Sequence, residues 1–181
     1  MVGAILTQNT AWTNVEKAIG NLKRKKILSV GKLSRVNLKA LKSLIKPSGF
    51  YNQKARRIKT FLKFLKSRGS KIGNLKKIDP GTLRQDLLNI NGIGKETADS
   101  ILLYALEKPI FVVDAYTKRM CSRHKLCNEK VEYDTLQALF MDNLPQKHSL
   151  FNEYHALIVE LGKRFCKTRK PLCSECPLKG I

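Results

Sequence analysis

Apolar side chains recur along almost the whole chain at the three- or four-residue spacing that lines one face of an α-helix. The clearest stripe holds Ala55, Ile58, Phe61, Leu62 and Leu65. No segment alternates apolar and polar residues over enough positions to predict a strand. The pattern therefore predicts an all-α protein. Besides two helices within residues 1–19, we expect helices near residues 38–45, 80–88, 97–106, 116–125, 135–144 and 149–165.

Positive charge is concentrated in the first part of this 181-residue chain, whose formal net charge is +21. Residues 1–80 hold 20 basic and two acidic residues, whereas residues 81–181 hold 15 basic and 12 acidic ones. Such an excess attracts polyanions, and phosphate neutralisation dominates binding to nucleic acid. The charge therefore favours a nucleic-acid partner. A lysine-rich solvated surface and an anionic membrane surface are the weaker alternatives.

Membrane insertion and export are not expected from this sequence. No apolar run approaches the roughly 18 residues that a membrane span needs. The N-terminus also lacks the basic, apolar and small-residue succession of a secretory signal. We therefore expect a cytoplasmic, nucleoid-associated protein without a membrane partner.

A glycine-punctuated turn joins two apolar helical segments at Gly92-Ile93-Gly94. Glycines permit left-handed backbone torsions and let the backbone come close to a ligand. The helix that begins after Gly94 would direct unpaired N–H groups toward an anion such as phosphate. The turn therefore indicates a phosphate-binding helical hairpin, although a tight turn of purely structural use remains the alternative.

A single carboxylate, Asp114, follows the apolar run from Ile110 to Val113. A carboxylate at this place can accept hydrogen bonds from the first turn of the next helix, as an N-cap does. The residues alone therefore leave Asp114 open as a helix cap or as a functional acid.

Three closely spaced cysteines lie near the C-terminus, at Cys166, Cys173 and Cys176. Clustered thiols in an intracellular protein point to a metal site rather than to disulfides. Zinc is one candidate, because it is held by sets of thiolates. We expect Cys121 and Cys127 to be ordinary buried thiols.

The hairpin, the aspartate 16 residues past Ala98 and the cysteine loop together resemble the endonuclease III superfamily of helix-hairpin-helix DNA glycosylases. The resemblance implies a helical barrel domain over residues 1–112, with the hairpin at about 83–106. It implies a second helical domain over 113–181 that ends in a cysteine loop at 166–181. It also implies a monomer acting on double-stranded DNA, with Asp114 at the junction of the domains.

The same resemblance implies a [4Fe–4S] cluster held by Cys166, Cys173, Cys176 and a fourth cysteine. In the family that fourth ligand would fall at position 182, one residue past Ile181, so the ligand set is incomplete in this sequence. We expect the cluster in the complete protein, and zinc is the less favoured alternative.

One residue of the hairpin bears on the type of enzyme. Bifunctional endonuclease III enzymes have a Schiff-base lysine two residues after the second hairpin glycine, and Glu96 stands there in this chain, beside Lys95. A carboxylate cannot form an imine. The stretch from Gly92 to Leu102 resembles the monofunctional 3-methyladenine DNA glycosylases, in which Asp114 would be the catalytic carboxylate. An endonuclease III-type glycosylase and abasic-site lyase, or a silent DNA-binding module, are the alternatives.

The resemblance also implies roles for other residues. Trp12 would stack on the extracted base, and Glu96 would face the same pocket, unless they are a packing aromatic and a helix N-terminal carboxylate. Gln8 would enter the gap left by the flipped nucleotide, or would be a polar residue of a helix corner. The remaining predicted DNA contacts are Lys54, Arg56, Arg57, Gly92, Gly94, Lys95 and Thr97. We expect surface or core roles for His124, His148 and His155.

Overall fold

The computed structural model describes residues 1–180, and within them the regular structure consists of helices without a strand. This confirms the predicted all-α class. The α-helices are α1 (Val2–Leu6), α2 (Trp12–Arg24), α3 (Val30–Arg35), α4 (Leu38–Ile45), α5 (Tyr51–Ser67), α6 (Ile72–Lys76), α7 (Pro80–Leu88), α8 (Lys95–Leu106), α9 (Ala115–Arg123), α10 (Tyr133–Asn143) and α11 (His148–Arg164). Short 3₁₀ turns occupy Lys46–Ser48 and Cys173–Glu175.

The first compact unit comprises Met1–Ile101 and is built around α5. Helices α1, α3 and α4 pack against α5, and α2 packs against α4. The stripe predicted on α5 is the packing face, because Ile58 and Phe61 are fully buried. Burial of this apolar surface is the main force that holds so basic a unit together.

Capping side chains fix where several of these helices begin. Asp79 precedes Pro80 at the start of α7, and its Oδ2 accepts a hydrogen bond from the Thr82 amide at 2.9 Å. Asn37 caps α4 in the same way through the Ala40 amide at 2.8 Å. Each such cap stabilises a helix by about 1 kcal/mol.

The second compact unit runs from Leu102 onwards and has its own core. Phe111, Val112 and Val113 lie in that core. The compact units therefore divide at 101/102, inside α8, whereas the sequence placed the domain boundary between 112 and 113.

Close packing of α9 against α11 organises the second unit. A Cβ atom on Gly162 would lie 2.3 Å from Cδ1 of Tyr116, so only glycine permits this approach of the two helices. The contact places the start of α9 beside the middle of α11. As for membranes, none of the helices within residues 1–180 combines the length and the apolar character needed to cross one.

Candidate active site and nucleic-acid interface

Asp114 is the N-cap of α9. Its Oδ1 accepts hydrogen bonds from the Thr117 amide at 2.8 Å and from the Thr117 hydroxyl at 3.0 Å. The helix-cap interpretation is therefore confirmed by the structure. It leaves the second oxygen, Oδ2, outside the cap.

A buried histidine, His155 on α11, faces that second oxygen. Its Nε2 lies 3.5 Å from Oδ2 of Asp114, and its Nδ1 is hydrogen-bonded to the hydroxyl of Tyr104. Burial by itself would raise the pKa of Asp114. The imidazole of His155 opposite Oδ2 and the hydrogen bonds from the Thr117 amide and hydroxyl outweigh burial and hold that pKa below its ordinary value of 3.8. Asp114 is therefore an anion at neutral pH.

Four of the predicted DNA-binding residues form a cluster around the hairpin turn. Gln8 Nε2 donates to the Gly92 carbonyl at 3.0 Å and to the Thr97 hydroxyl at 2.9 Å. Arg57 donates to the Gln8 side-chain oxygen. Gly92 has φ +85°, and a Cβ there would lie 2.4 Å from Nε of Arg57. The corner between α1 and α2, helix α5 and the hairpin are thus joined through Gln8.

Lys54 is not on the surface, which corrects its prediction as a phosphate contact. The side chain is 1% exposed, and its ammonium donates to the carbonyls of Leu6 at 2.8 Å and Ser48 at 2.6 Å. Burial, and to a smaller degree the charge of Arg57, lowers the pKa of Lys54 to about 8. Lys54 therefore satisfies the carbonyls at the end of α1 and in the 3₁₀ turn that follows α4, and it has no free face for DNA.

The other predicted hairpin residues lie at the surface of the first unit. Lys95 and Glu96 are exposed in the first turn of α8, and Arg56 is exposed on α5. Nothing lies within 4 Å of a Cβ placed on Gly94, so the backbone there is open to a ligand. This open turn at a helix N-terminus is the geometry that the sequence predicted for phosphate contact.

Two aromatic side chains of the first unit are held out to solvent. Trp12 is 50% exposed, and its Nε1 donates to Glu16 at 3.0 Å. Phe50 is 63% exposed and has φ 43°, a left-handed conformation that residues other than glycine rarely adopt. Sequence reasoning assigned no role to Phe50 or Glu16. Exposed aromatic rings are the side chains on which nucleobases stack in proteins that bind single-stranded nucleic acid.

The comparison with protein families assigns the fold. Residues 2–146 match the HhH-GPD superfamily of base excision DNA repair proteins. The chain belongs to this superfamily. Membership confirms the predicted relation to endonuclease III and makes the chain part of a DNA glycosylase family, which is a family of enzymes.

Two sequence relatives match almost the whole of this chain and support its membership of the superfamily. A protein of Methanocaldococcus jannaschii, described as a candidate DNA repair glycosylase, is 54% identical over 99% of this chain and 82% of its own length. Endonuclease III of Thermotoga maritima is 32% identical over 99% of this chain and 79% of its own length.

Solved structures agree with the sequence relatives. The 3-methyladenine DNA glycosylase of Helicobacter pylori, bound to 1,N6-ethenoadenine, superposes with a TM-score of 0.76 and 35% identity, over 90% of this chain and 83% of the other. An endonuclease III–DNA complex superposes with a TM-score of 0.82 at 22% identity, over 97% of this chain and 78% of the other, and so shows the fold alone.

The three C-terminal cysteines, Cys166, Cys173 and Cys176, do not converge on one metal-binding point. Cys166 is buried and its Sγ accepts a hydrogen bond from Arg123 at 3.3 Å, whereas Cys173 and Cys176 line a cavity of about 440 Å³ together with His124. Within residues 1–180, no three thiol, imidazole or carboxylate side chains are placed to hold one metal ion. The [4Fe–4S] cluster therefore stays a prediction, and no chemical step is assigned to one.

Proposed function

We propose that this protein is a monofunctional DNA glycosylase of base excision repair that removes alkylated purines such as 3-methyladenine from double-stranded DNA. Asp114 would be the catalytic carboxylate. The observation that carries the proposal is the state of this residue: a carboxylate only 13% exposed, kept ionised by hydrogen bonds at a helix N-terminus. The 35% identity to a 3-methyladenine DNA glycosylase supports the choice of substrate class.

The chemistry suits a fixed anion. A purine alkylated at a ring nitrogen carries a positive charge and leaves the sugar with little acid catalysis. The enzyme must extrude the nucleotide and stabilise the positive charge that develops on the sugar as the N-glycosidic bond breaks. The carboxylate of Asp114 would supply that stabilisation and orient the water that attacks the anomeric carbon. Its low pKa keeps it charged throughout the physiological range.

Glu96 supports a reaction that stops after base release. It stands in the first turn of α8, where the bifunctional members of the family have their lysine nucleophile. A carboxylate forms no imine with the sugar aldehyde, so that route to β-elimination is absent. Lys95 is next to it, but one residue on a helix rotates a side chain by about 100°.

The half-exposed indole of Trp12 supports recognition of a charged base. An aromatic face attracts a cation by about 1–2 kcal/mol when water is excluded. Glu16, the only acidic residue before Asp79, accepts a hydrogen bond from the indole Nε1 and adds negative charge beside the ring. Both features favour a cationic purine over a neutral one.

Contacts to the DNA backbone would come from the open turn at Gly94 and from the exposed side chains of Arg56 and Lys95. These groups neutralise phosphate without reading sequence. Gln8 would enter the gap left by the extruded nucleotide, and to do so it must release its bonds to Gly92 and Thr97.

Replacement of Asp114 by asparagine tests the proposal. Asparagine caps a helix as well as aspartate does, so Asp114→Asn removes the charge and keeps the cap of α9. We expect release of 3-methyladenine from methylated duplex DNA to fall by at least about a hundredfold, because a fixed charge opposite a developing cation is worth several kcal/mol. Duplex affinity should stay within twofold. Asp79→Asn is the matched control, since Asp79 caps α7 through the same pair of bonds to Thr82.

The second candidate is an endonuclease III-type glycosylase and abasic-site lyase, favoured by the 32% identity to an endonuclease III. The same incubation distinguishes the two. Borohydride trapping of a covalent protein–DNA complex, or strand cleavage after base release, would favour the lyase. Duplex binding without either product would leave a DNA-binding module.

A further inference from the structure

The imidazole of His155 lies on the buried stripe of α11 and is 8% exposed. It follows Phe151 by four residues and precedes Ile158 by three, so it occupies a core position of the helix. Buried histidines normally have both ring nitrogens hydrogen-bonded. At His155 one nitrogen is bonded, and the other points at a carboxylate.

The tautomer of His155 follows from its two polar neighbours, Tyr104 and Asp114. The hydroxyl of Tyr104 is hydrogen-bonded to Nδ1, and a phenol can donate or accept such a bond. Nε2 faces Oδ2 of Asp114, and without a hydrogen it would turn its lone pair toward that anion. The ring hydrogen is therefore placed on Nε2, and Nδ1 accepts from Tyr104.

Nε2 of His155 is buried and has no hydrogen bond of normal geometry within the described chain. The atom in front of it is Oδ2 of Asp114, at 3.5 Å. That separation is at the outer limit of a hydrogen bond, and catalytic hydrogen bonds are often long before substrate binds. The two oxygens of Asp114 thus have different partners: Oδ1 accepts the cap bonds from Thr117, and Oδ2 faces the imidazole of His155.

We propose that His155 is a positioning residue for Asp114. The Nε2–H group of His155 restrains Oδ2, and the hydroxyl of Tyr104 fixes the tautomer and the tilt of the imidazole. Together with the cap bonds from Thr117, this arrangement keeps both carboxylate oxygens in one orientation while the sugar becomes positive. The inference rests on the proposed function, in which Asp114 is the reacting carboxylate.

Three variants test this role through single-turnover release of 3-methyladenine from methylated duplex DNA. His155→Phe keeps an aromatic ring in the core and removes the donor. We expect the rate to fall about tenfold or more, the value of one hydrogen bond to a charged group. His155→Gln keeps an N–H near the position of Nε2 and should restore most of the rate. Tyr104→Phe leaves the imidazole without its anchor and should cost about threefold.

Two further measurements separate positioning from packing. Affinity for duplex DNA with an abasic-site analogue should stay within twofold in all three variants. In His155→Phe the acidic limb of the rate–pH profile should move to higher pH, because the pKa of Asp114 rises when a hydrogen bond to its charged form is lost. His148→Phe, at the exposed first residue of the same helix, is the control and should change neither quantity.

The inference is overturned if His155→Phe keeps its rate within twofold of the parent protein. It is also overturned if His155→Phe and His155→Gln lose the same rate and the same melting temperature, since that indicates packing alone. Failure of the proposed function has a different form. The parent protein would then release no alkylated purine, or Asp114→Asn would release it at the parent rate, and both proposals would fall.

Discussion

The two hairpin glycines have different roles, and one pair of substitutions separates them. Gly92 has φ +85°, and a Cβ there would lie 2.4 Å from Nε and 2.7 Å from Cδ of Arg57. Gly94 has no such φ, and nothing lies within 4 Å of its Cβ position. Gly92 therefore has a structural role within the first unit, whereas Gly94 leaves the backbone open.

The expected loss of stability in Gly92→Ala can be worked from these contacts. A left-handed backbone costs alanine about 1–2 kcal/mol. The side chain of Arg57 must also move, which breaks its hydrogen bond to Gln8, and a bond from a charged donor is worth about 1.5 kcal/mol at the low end. We expect the free energy of unfolding to fall by about 3 kcal/mol. Gly94→Ala, directly before α8, should cost about 1 kcal/mol or less, because glycine is preferred to alanine at the position before a helix.

Urea unfolding measures the first effect, and fluorescence anisotropy with an undamaged duplex measures the second. Gly94→Ala should weaken duplex binding severalfold, because a methyl group at the open turn obstructs the approach of a phosphate to the backbone amides. Equal destabilisation by the two substitutions would refute the distinct roles. Unchanged duplex affinity in Gly94→Ala would remove the hairpin from the DNA interface.

Three further predictions follow from the first unit. Arg84→Met removes the guanidinium that binds both oxygens of the fully buried Asp99 carboxylate, and it should lower the free energy of unfolding in urea by about 3 kcal/mol. Adding Asp99→Leu removes the buried charge and should recover most of that loss. Folding lowers the pKa of Lys54 from 10.5 to about 8, so between these pH values the unfolded chain binds the Lys54 proton more tightly than the folded chain does. The free energy of unfolding of the parent protein, relative to that of Lys54→Met, should therefore rise from pH 8 to pH 10.5. Glu16→Gln keeps a hydrogen-bond acceptor for Trp12 but removes the charge, so the rate of release of cationic 3-methyladenine should fall severalfold relative to that of neutral ethenoadenine. Equal losses of rate on both bases would contradict a role of Glu16 in recognising the charged base.

The periodic helices and their caps were predictable because the signals are local. The stripe on α5, the start of α7 at Pro80 and the cap at Asp114 appear where the sequence placed them. The short helices α3 and α6 were not predicted, since six and five residues are too few to establish a helical period. Helix α3 packs against α5, a contact that the local sequence does not reveal.

Lys54 was misjudged because residue type was weighed above position, whereas for His155 a core role was one of the two expectations. Lys54 was assigned to the surface as a lysine, yet it precedes Ile58 by four residues and Phe61 by seven, on the buried stripe of α5. His155 occupies the equivalent place on α11. The Leu6 carbonyl that Lys54 binds, and both side chains that face His155, come from segments far away in sequence, so only the folded chain reveals them.

Helix α8 belongs to both compact units, since it runs from Lys95 to Leu106 and the units divide at 101/102. Cutting the chain at 101/102 would remove the helical hydrogen-bond partners of carbonyls on the N-terminal side of the cut and of amides on the C-terminal side. Unfolding of either compact unit would likewise fray the part of α8 that continues into the other unit. Calorimetry should therefore record one transition for the intact polypeptide, and neither fragment cut at 101/102 should refold alone.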